Sequence, residues 1–250
     1  MLPHRRAGTG TPLVLVHGYL GGSAQWEAQI AHLSAGFDVI APCLPGYGNA
    51  SDLPTCDRIG ALADAVIGLL DDLGVAEFIL LGHSMGGMIA QEIAAKVGNR
   101  VSRLVLYGTG PVGLLPDRFE SIETSRERLC ADGVEQTARR IAATWFREGE
   151  AAQGFPLVAQ IGALTTRQAA LAGLDAMAHW DGRDALATLH MPTLVLWGER
   201  DRSYRWPQVE MLWKTLPDAQ LAVMPGAAHA AHLEKPKLFH AFLDDFLGTA

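Results

Sequence analysis

The sequence predicts an α/β fold: a three-layer sandwich in which a mostly parallel sheet lies between helices, with a helical lid inserted at one edge. Two observations carry this expectation. Short apolar runs rich in β-branched residues alternate with longer stretches of helical period, the pattern of successive βαβ units. One stretch, 112–190, breaks the alternation and reads as helices in succession. At 250 residues the chain suits one hydrophobic core, with 1–111 and 191–250 forming the sheet-bearing part and 112–190 the insertion.

In chain order, strands are expected at 12–16, 38–41, 77–81, 102–107, 193–197 and 220–224. They are mostly unbroken apolar runs, as strands covered on both faces must be. Residues 1–7 offer an additional edge strand. Helical patterns fall at 24–33, 58–73, 85–97, 208–215 and 236–247, the last opened by Pro236 in a first turn, where a missing N–H costs nothing. Gly110-Pro111 and His190-Met191-Pro192 bound the lid, because Gly and Pro end regular elements and Pro pushes its predecessor away from helix.

Composition excludes several classes of function. With 49% hydrophobic and 19% charged residues the chain can bury a core, so disorder is excluded. A net charge of −7 without a basic run gives nothing to neutralise phosphates, so no nucleic acid partner is expected. No 18 apolar residues run together, so no membrane span is expected. After Arg5-Arg6 only Leu13 to Val16 are apolar in succession, too few for a signal-peptide core. Cys43, Cys56 and Cys130 are an odd set without a C-x-x-C pair, which argues against a disulfide framework or a zinc site. They suit a reducing compartment, and a cytoplasmic location is expected. Neither a metal nor any other cofactor is called for.

The chemistry concentrates at one motif. Phe78-Ile79-Leu80-Leu81 leads into Gly82-His83-Ser84-Met85-Gly86, a G-x-S-x-G match, and Gly87-Met88-Ile89-Ala90 continues as helix. Strand, sharp turn and helix are the context that gives the motif meaning. A serine hydroxyl is a poor nucleophile, so the turn has to lift Ser84 clear of the backbone toward a base and a carbonyl carbon. The Met85 N–H, in the first helical turn, can donate to the oxyanion that forms there. A second donor is sought in His17-Gly18-Tyr19-Leu20-Gly21-Gly22, and the Tyr19 N–H is the candidate, with Leu20 as the alternative.

The strand at 193–197 ends in Gly198-Glu199-Arg200-Asp201, which puts a carboxylate at the carboxyl edge of the sheet, where open α/β sheets bind ligands. The strand at 220–224 ends in Pro225-Gly226-Ala227-Ala228-His229 on the same rim. His229 is the candidate general base, and Asp201, favoured over Glu199, is the acid that orients it. His17, His83 and His232 are read as hydrogen-bonded scaffold residues.

Across nearly its whole length the chain resembles the α/β-hydrolase superfamily. The residues that carry the likeness are His17-Gly18, Pro45-Gly46-Tyr47-Gly48, the Ser84 elbow, Gly198 to Asp201 and Gly226 to Pro236. Serine at 84 departs from the haloalkane dehalogenase and epoxide hydrolase branches, which carry Asp there. The lid from Arg126 to Phe146 is similar to that of the 3-oxoadipate enol-lactonase and small carboxylesterase group. The resemblance implies a serine hydrolase acting on a small-molecule ester or (enol-)lactone. The alternatives are C–C bond hydrolysis of a diketone and a ligand receptor without turnover on the same fold. It also implies an eight-stranded sheet, of which the short N-terminus would leave the first strand missing or reduced. Cys43 stands where relatives usually carry Asp, which puts local hydrogen bonding in doubt and leaves the three catalytic candidates alone.

Within the lid, Trp145, Phe146, Met177 and Trp180 are the bulky candidates for contact with substrate. Arg126, Arg128, Arg139, Arg140 and Arg147 could supply a cation for an acidic substrate. Eleven Asp and Glu lie in the same 112–190 stretch, however, so an exposed mixed-charge surface is the competing reading.

Overall fold

The computed structural model describes residues 1–115 and 118–248. Among them, seven strands form one sheet: β1 (His4–Ala7), β2 (Thr11–Val16), β3 (Phe37–Pro42), β4 (Phe78–His83), β5 (Val101–Tyr107), β6 (Thr193–Gly198) and β7 (Ala219–Met224). Their spatial order is β1-β3-β2-β4-β5-β6-β7, and every pairing is parallel except that of β1 with β3. The edge strand offered by residues 1–7 is therefore present and antiparallel.

Alternation of side chains across the sheet builds the two outer layers. Leu13, Leu15, Ile79 and Leu81 face a core formed with Trp26, with Leu33 of α1 (Glu27–Leu33), and with Phe239 and Leu243 of α9 (Pro236–Leu247). Their neighbours Val14, Val16, Phe78 and Leu80 face the opposite core, against α2 (Ile59–Asp72), α3 (Met85–Val97) and α7 (Trp206–Thr215). Each fully buried Leu, Ile or Phe contributes roughly 1.5–3 kcal/mol relative to exposure, so both faces need cover. The stretch expected as one helix at 24–33 is divided: a 3-10 turn over Ser23–Trp26 seats the Trp26 ring before α1 begins.

Residues 112–190 hold α4 (Ile122–Thr144), α5 (Phe155–Ala163) and α6 (Arg167–Ala178), with an isolated bridge between Val112 and Asp181 as their one β pairing among the described residues. Ser121 caps α4 by accepting from the Thr124 N–H at 3.0 Å, and Thr166 caps α6 through the Ala169 N–H at 3.1 Å. Gly133 interrupts α4 with φ 78° and ψ 178°. Leu129, Ile141 and Leu174 of this insertion share a continuous core with Val16 and Met88 of the sheet-bearing part. A short helix, α8 (Ala231–Glu234), precedes α9.

Among the described residues no helix is long and apolar enough to cross a membrane. None of their His, Cys, Asp and Glu side chains group as a metal site would require. The three cysteines are free: Cys43 is buried, Cys56 half-buried and Cys130 exposed. Cys43 packs its sulfur 3.1 Å from the Ser23 hydroxyl, so a polar contact is present at the position whose hydrogen bonding the sequence put in doubt.

Candidate active site

β4 ends at His83 and α3 begins at Met85, so the chain turns from strand to helix on Ser84 alone. Ser84 has φ 58° and ψ −124°, a conformation that costs a residue with a β-carbon about 1–3 kcal/mol. Neighbouring bonds enforce it. The Ser84 N–H donates to the Tyr107 carbonyl at 3.0 Å, and its carbonyl accepts from the Gly87 N–H and the Thr109 hydroxyl, both at 2.8 Å. The turn also needs bare backbone beside it: a β-carbon on Gly86 would fall 2.4 Å from the Val16 carbonyl oxygen.

The loop after β2 runs directly over this turn, since a β-carbon on Gly18 would lie 2.8 Å from that of Ser84. Met85 opens α3, where an N–H has no partner inside the helix. The Tyr19 N–H donates no hydrogen bond among the described residues. The loop residue Gly18, next to Tyr19, and the helix start at Met85 both adjoin Ser84. Leu20, the alternative, takes a left-handed φ of 53°. His17 holds the loop in place: its Nε2 accepts from the Leu44 N–H at 2.9 Å, and its Nδ1 lies 2.9 Å from the Gly18 carbonyl. Burial lowers the His17 pKa to about 4, so the ring is neutral.

Asp201 and His229 meet as the sequence predicts. His229 Nδ1 lies 2.8 Å from Asp201 Oδ2, with both residues 1% exposed. The other carboxylate oxygen accepts from the N–H groups of Ser203 at 2.7 Å and Tyr204 at 3.1 Å, which fixes the carboxylate in the turn after β6. On the far side of the ring, His229 Nε2 is buried and makes no hydrogen bond among the described residues. Ser84 and His229 line the same cavity without a hydrogen bond between them in this conformation. Such bonds often tighten only when substrate is bound. Glu199, the rejected alternative to Asp201, instead accepts from the Gly226 N–H at 2.8 Å.

The His229 loop is braced from behind. Its carbonyl accepts from the Tyr107 hydroxyl at 2.8 Å and pairs with His83 Nε2 at 3.1 Å. His83 stacks on Tyr107, with ring centroids 4.5 Å apart, and lies 4.5 Å from the His229 ring. Burial, then the neighbouring His229 and His232, hold His83 well below the usual histidine range, and burial lowers His232 to about 3. Both are neutral scaffold, as read from the sequence. Glu234 joins this loop to the segment just after α4: one carboxylate oxygen accepts from Ala228 N–H at 2.5 Å and the other from Arg147 N–H at 2.7 Å. The Ala230 N–H adds a bond to the Trp145 carbonyl at 2.9 Å.

The cavity shared by Ser84 and His229 measures about 20 Å³, room for roughly one water. Of the four bulky lid candidates, Trp145 and Met177 line it. Phe146 and Trp180 do not: Phe146 lies on an outer cleft with Gly154 and Leu233, while Trp180 turns its indole N–H to Glu92 at 3.2 Å. The five lid arginines are also turned away from it, each held by a carboxylate: Arg126 by Asp175, Arg128 and Arg140 by Glu120, Arg139 by Glu150 and Arg147 by Glu148.

Of the cavity residues not singled out in the sequence, which also include Gly113, Leu115, Ile141 and Ser203, two bear on its chemistry. Tyr204 stacks on the His229 ring at 5.7 Å and 18°. Burial pushes its hydroxyl up to about 12, with the Ser84 hydroxyl and the Arg118 charge working the other way. Arg118 itself is the second. The place of Tyr204 three residues past Asp201 could have pointed to the first, and no motif marks either.

A parallel sheet, a strained serine between strand and helix, and a buried Asp-His pair on the same rim define the class. The chain belongs to the α/β-hydrolase fold family, whose model matches residues 11–236. It is 30% identical to a 2-hydroxy-6-oxo-6-phenylhexa-2,4-dienoate hydrolase of Burkholderia cepacia, over 97% of this chain and 90% of that protein. It is 32% identical to a pimeloyl-[acyl-carrier protein] methyl ester esterase of Aromatoleum aromaticum, over 93% of this chain and 96% of that one. The crystal structure of an enol-lactonase from Burkholderia xenovorans superposes with a TM-score of 0.88 at 23% identity, covering 99% and 96% of the two chains, which shows a shared fold.

Proposed function

We propose that the protein is a serine hydrolase that cleaves a small carboxylic ester or lactone through an acyl-enzyme on Ser84. The observation that carries this reading is the buried 2.8 Å pairing of His229 with Asp201 on the cavity that Ser84 enters. With Nδ1–H given to Asp201, the free Nε2 is the atom able to take the Ser84 proton. The Ser84 oxygen then attacks the carbonyl carbon, and the Tyr19 and Met85 N–H groups receive the charge that grows on the carbonyl oxygen. Proton return from His229 releases the alcohol, and water activated by the same histidine frees the acid. The order Ser84, Asp201, His229 along the chain is the order that triads of this fold use.

A second reading is favoured by the relative from Burkholderia cepacia, whose named substrate holds no ester, so its hydrolysis must break a carbon–carbon bond. Product analysis on a dienoate ketone and on an ester of similar size separates the two. A receptor on the same fold would bind without turnover.

The test is steady hydrolysis of a p-nitrophenyl ester by the wild type and its variants. Ser84→Ala should lower kcat by about 10⁴ or more with the fold intact, since removing one member forfeits the acyl-enzyme route. His229→Ala should be comparably inactive, and His232→Ala should keep measurable turnover. Retention of more than about a tenth of wild-type kcat by Ser84→Ala removes the assignment.

A further inference from the structure

The cavity that contains Ser84 and His229 is lined chiefly by apolar and phenolic side chains, among them Tyr19, Ile141, Trp145 and Tyr204. One permanent charge stands among them. Arg118 lines the cavity, and no Asp or Glu does so among the described residues. Asp201 is occupied behind His229, and Glu120, two residues along from Arg118, is taken by Arg128 and Arg140.

Arg118 differs in this from the five lid arginines, all of which a carboxylate neutralises. It makes no ion pair among the described residues, and its contact is the Phe119 ring, 5.1 Å from the guanidinium carbon. Its charge reaches both phenols of the cavity: burial pushes Tyr19 above its usual range and Tyr204 up to about 12, and Arg118 opposes both shifts. A guanidinium keeps its proton across the physiological pH range, so this charge is a fixed feature of the wall. Its planar fork matches a carboxylate through two parallel hydrogen bonds.

We propose that Arg118 binds a free carboxylate of the substrate, so that the compound hydrolysed at Ser84 is a small ester or lactone that also carries an acid group. This deepens the serine-hydrolase reading and rests on it for the chemistry. The cation sits on the wall of the reaction cavity, so the acid group and the scissile carbonyl belong to one small molecule.

The experiment compares monomethyl glutarate with dimethyl glutarate, two esters that differ in one negative charge. Wild type should favour the half-ester in kcat/KM by about tenfold or more, Arg118→Gln should erase that preference through KM, and Arg118→Lys should recover part of it. A ratio near one in the wild type, or an unchanged ratio in Arg118→Gln, overturns the proposal. Binding of monomethyl glutarate to Ser84→Ala, measured by calorimetry, reads the same contact without turnover. Arg118→Gln added to that background should weaken it by about tenfold or more. Binding through Arg118 with no cleavage of either ester would leave this site standing and remove the serine-hydrolase reading. Cleavage of both esters without charge preference would do the reverse, and neither binding nor cleavage would remove both.

Discussion

Trp145 and Met177 stand on the cavity wall, whereas Phe146 and Trp180 stand behind it, and this difference predicts opposite phenotypes. Trp145→Ala or Met177→Ala should change the ratio of kcat/KM between a short-chain and a bulky ester by about tenfold, because each reshapes the space around the acyl group. Phe146→Ala should leave that ratio alone and lower Tm, since deleting a buried Phe costs about 3–5 kcal/mol. Equal loss on every ester in the Trp145 and Met177 variants would mean that these side chains hold the lid together without selecting substrate. The sequence marked all four for their bulk, which cannot say toward which side of a helix or loop a ring turns. The Ser84, Asp201 and His229 positions were legible because each closes an apolar strand with a motif. Arg118 was not, because packing between segments far apart in the chain brings it to the cavity, and Tyr204 was not, because the sequence does not say which way a ring in the turn after Asp201 points.

At the scale of elements, unbroken apolar runs made the strands readable to within a residue or two, and the lid was readable as helices because nothing in it alternates. The internal break in α4 was not placed. Gly133 leaves helical geometry in a run where one glycine looks tolerable, and the contrast with Gly68 inside α2 makes the point testable. A β-carbon at either position would meet nothing within 4 Å. Gly68→Ala should therefore stabilise the protein by about 0.5–1 kcal/mol by restricting the unfolded chain. Gly133→Ala should destabilise it by about 1–3 kcal/mol, because φ 78° with ψ 178° is glycine's territory. Urea denaturation of the two variants checks the sign of each, and the same sign for both would contradict the kinked geometry of α4.

For the whole molecule, the buried histidines couple stability to pH. Burial holds His17 at about 4, His232 at about 3 and His83 well below the ordinary 6.5, so the native state keeps these rings neutral where the unfolded chain would protonate them. Their contribution is complete above 6.5. It erodes as pH falls, by about 1.4 kcal/mol per pH unit per histidine, and is lost as each folded-state value is passed. The urea midpoint should accordingly drop steeply between about pH 6.5 and pH 4.5, and a flat profile there would mean that these rings accept protons in the native state. The brace formed by Glu234 and the Trp145 carbonyl has its own consequence. It ties the end of α4 to the loop that carries His229, so neither can travel without the other. Yet a cavity of about 20 Å³ must widen before an ester can enter. Of the cavity walls, Gly113, Leu115 and Arg118 ahead of α4 and Met177 of α6 lie outside that tie, so a widening that leaves the brace whole has to come from walls such as these, with the His229 loop as the fixed jamb.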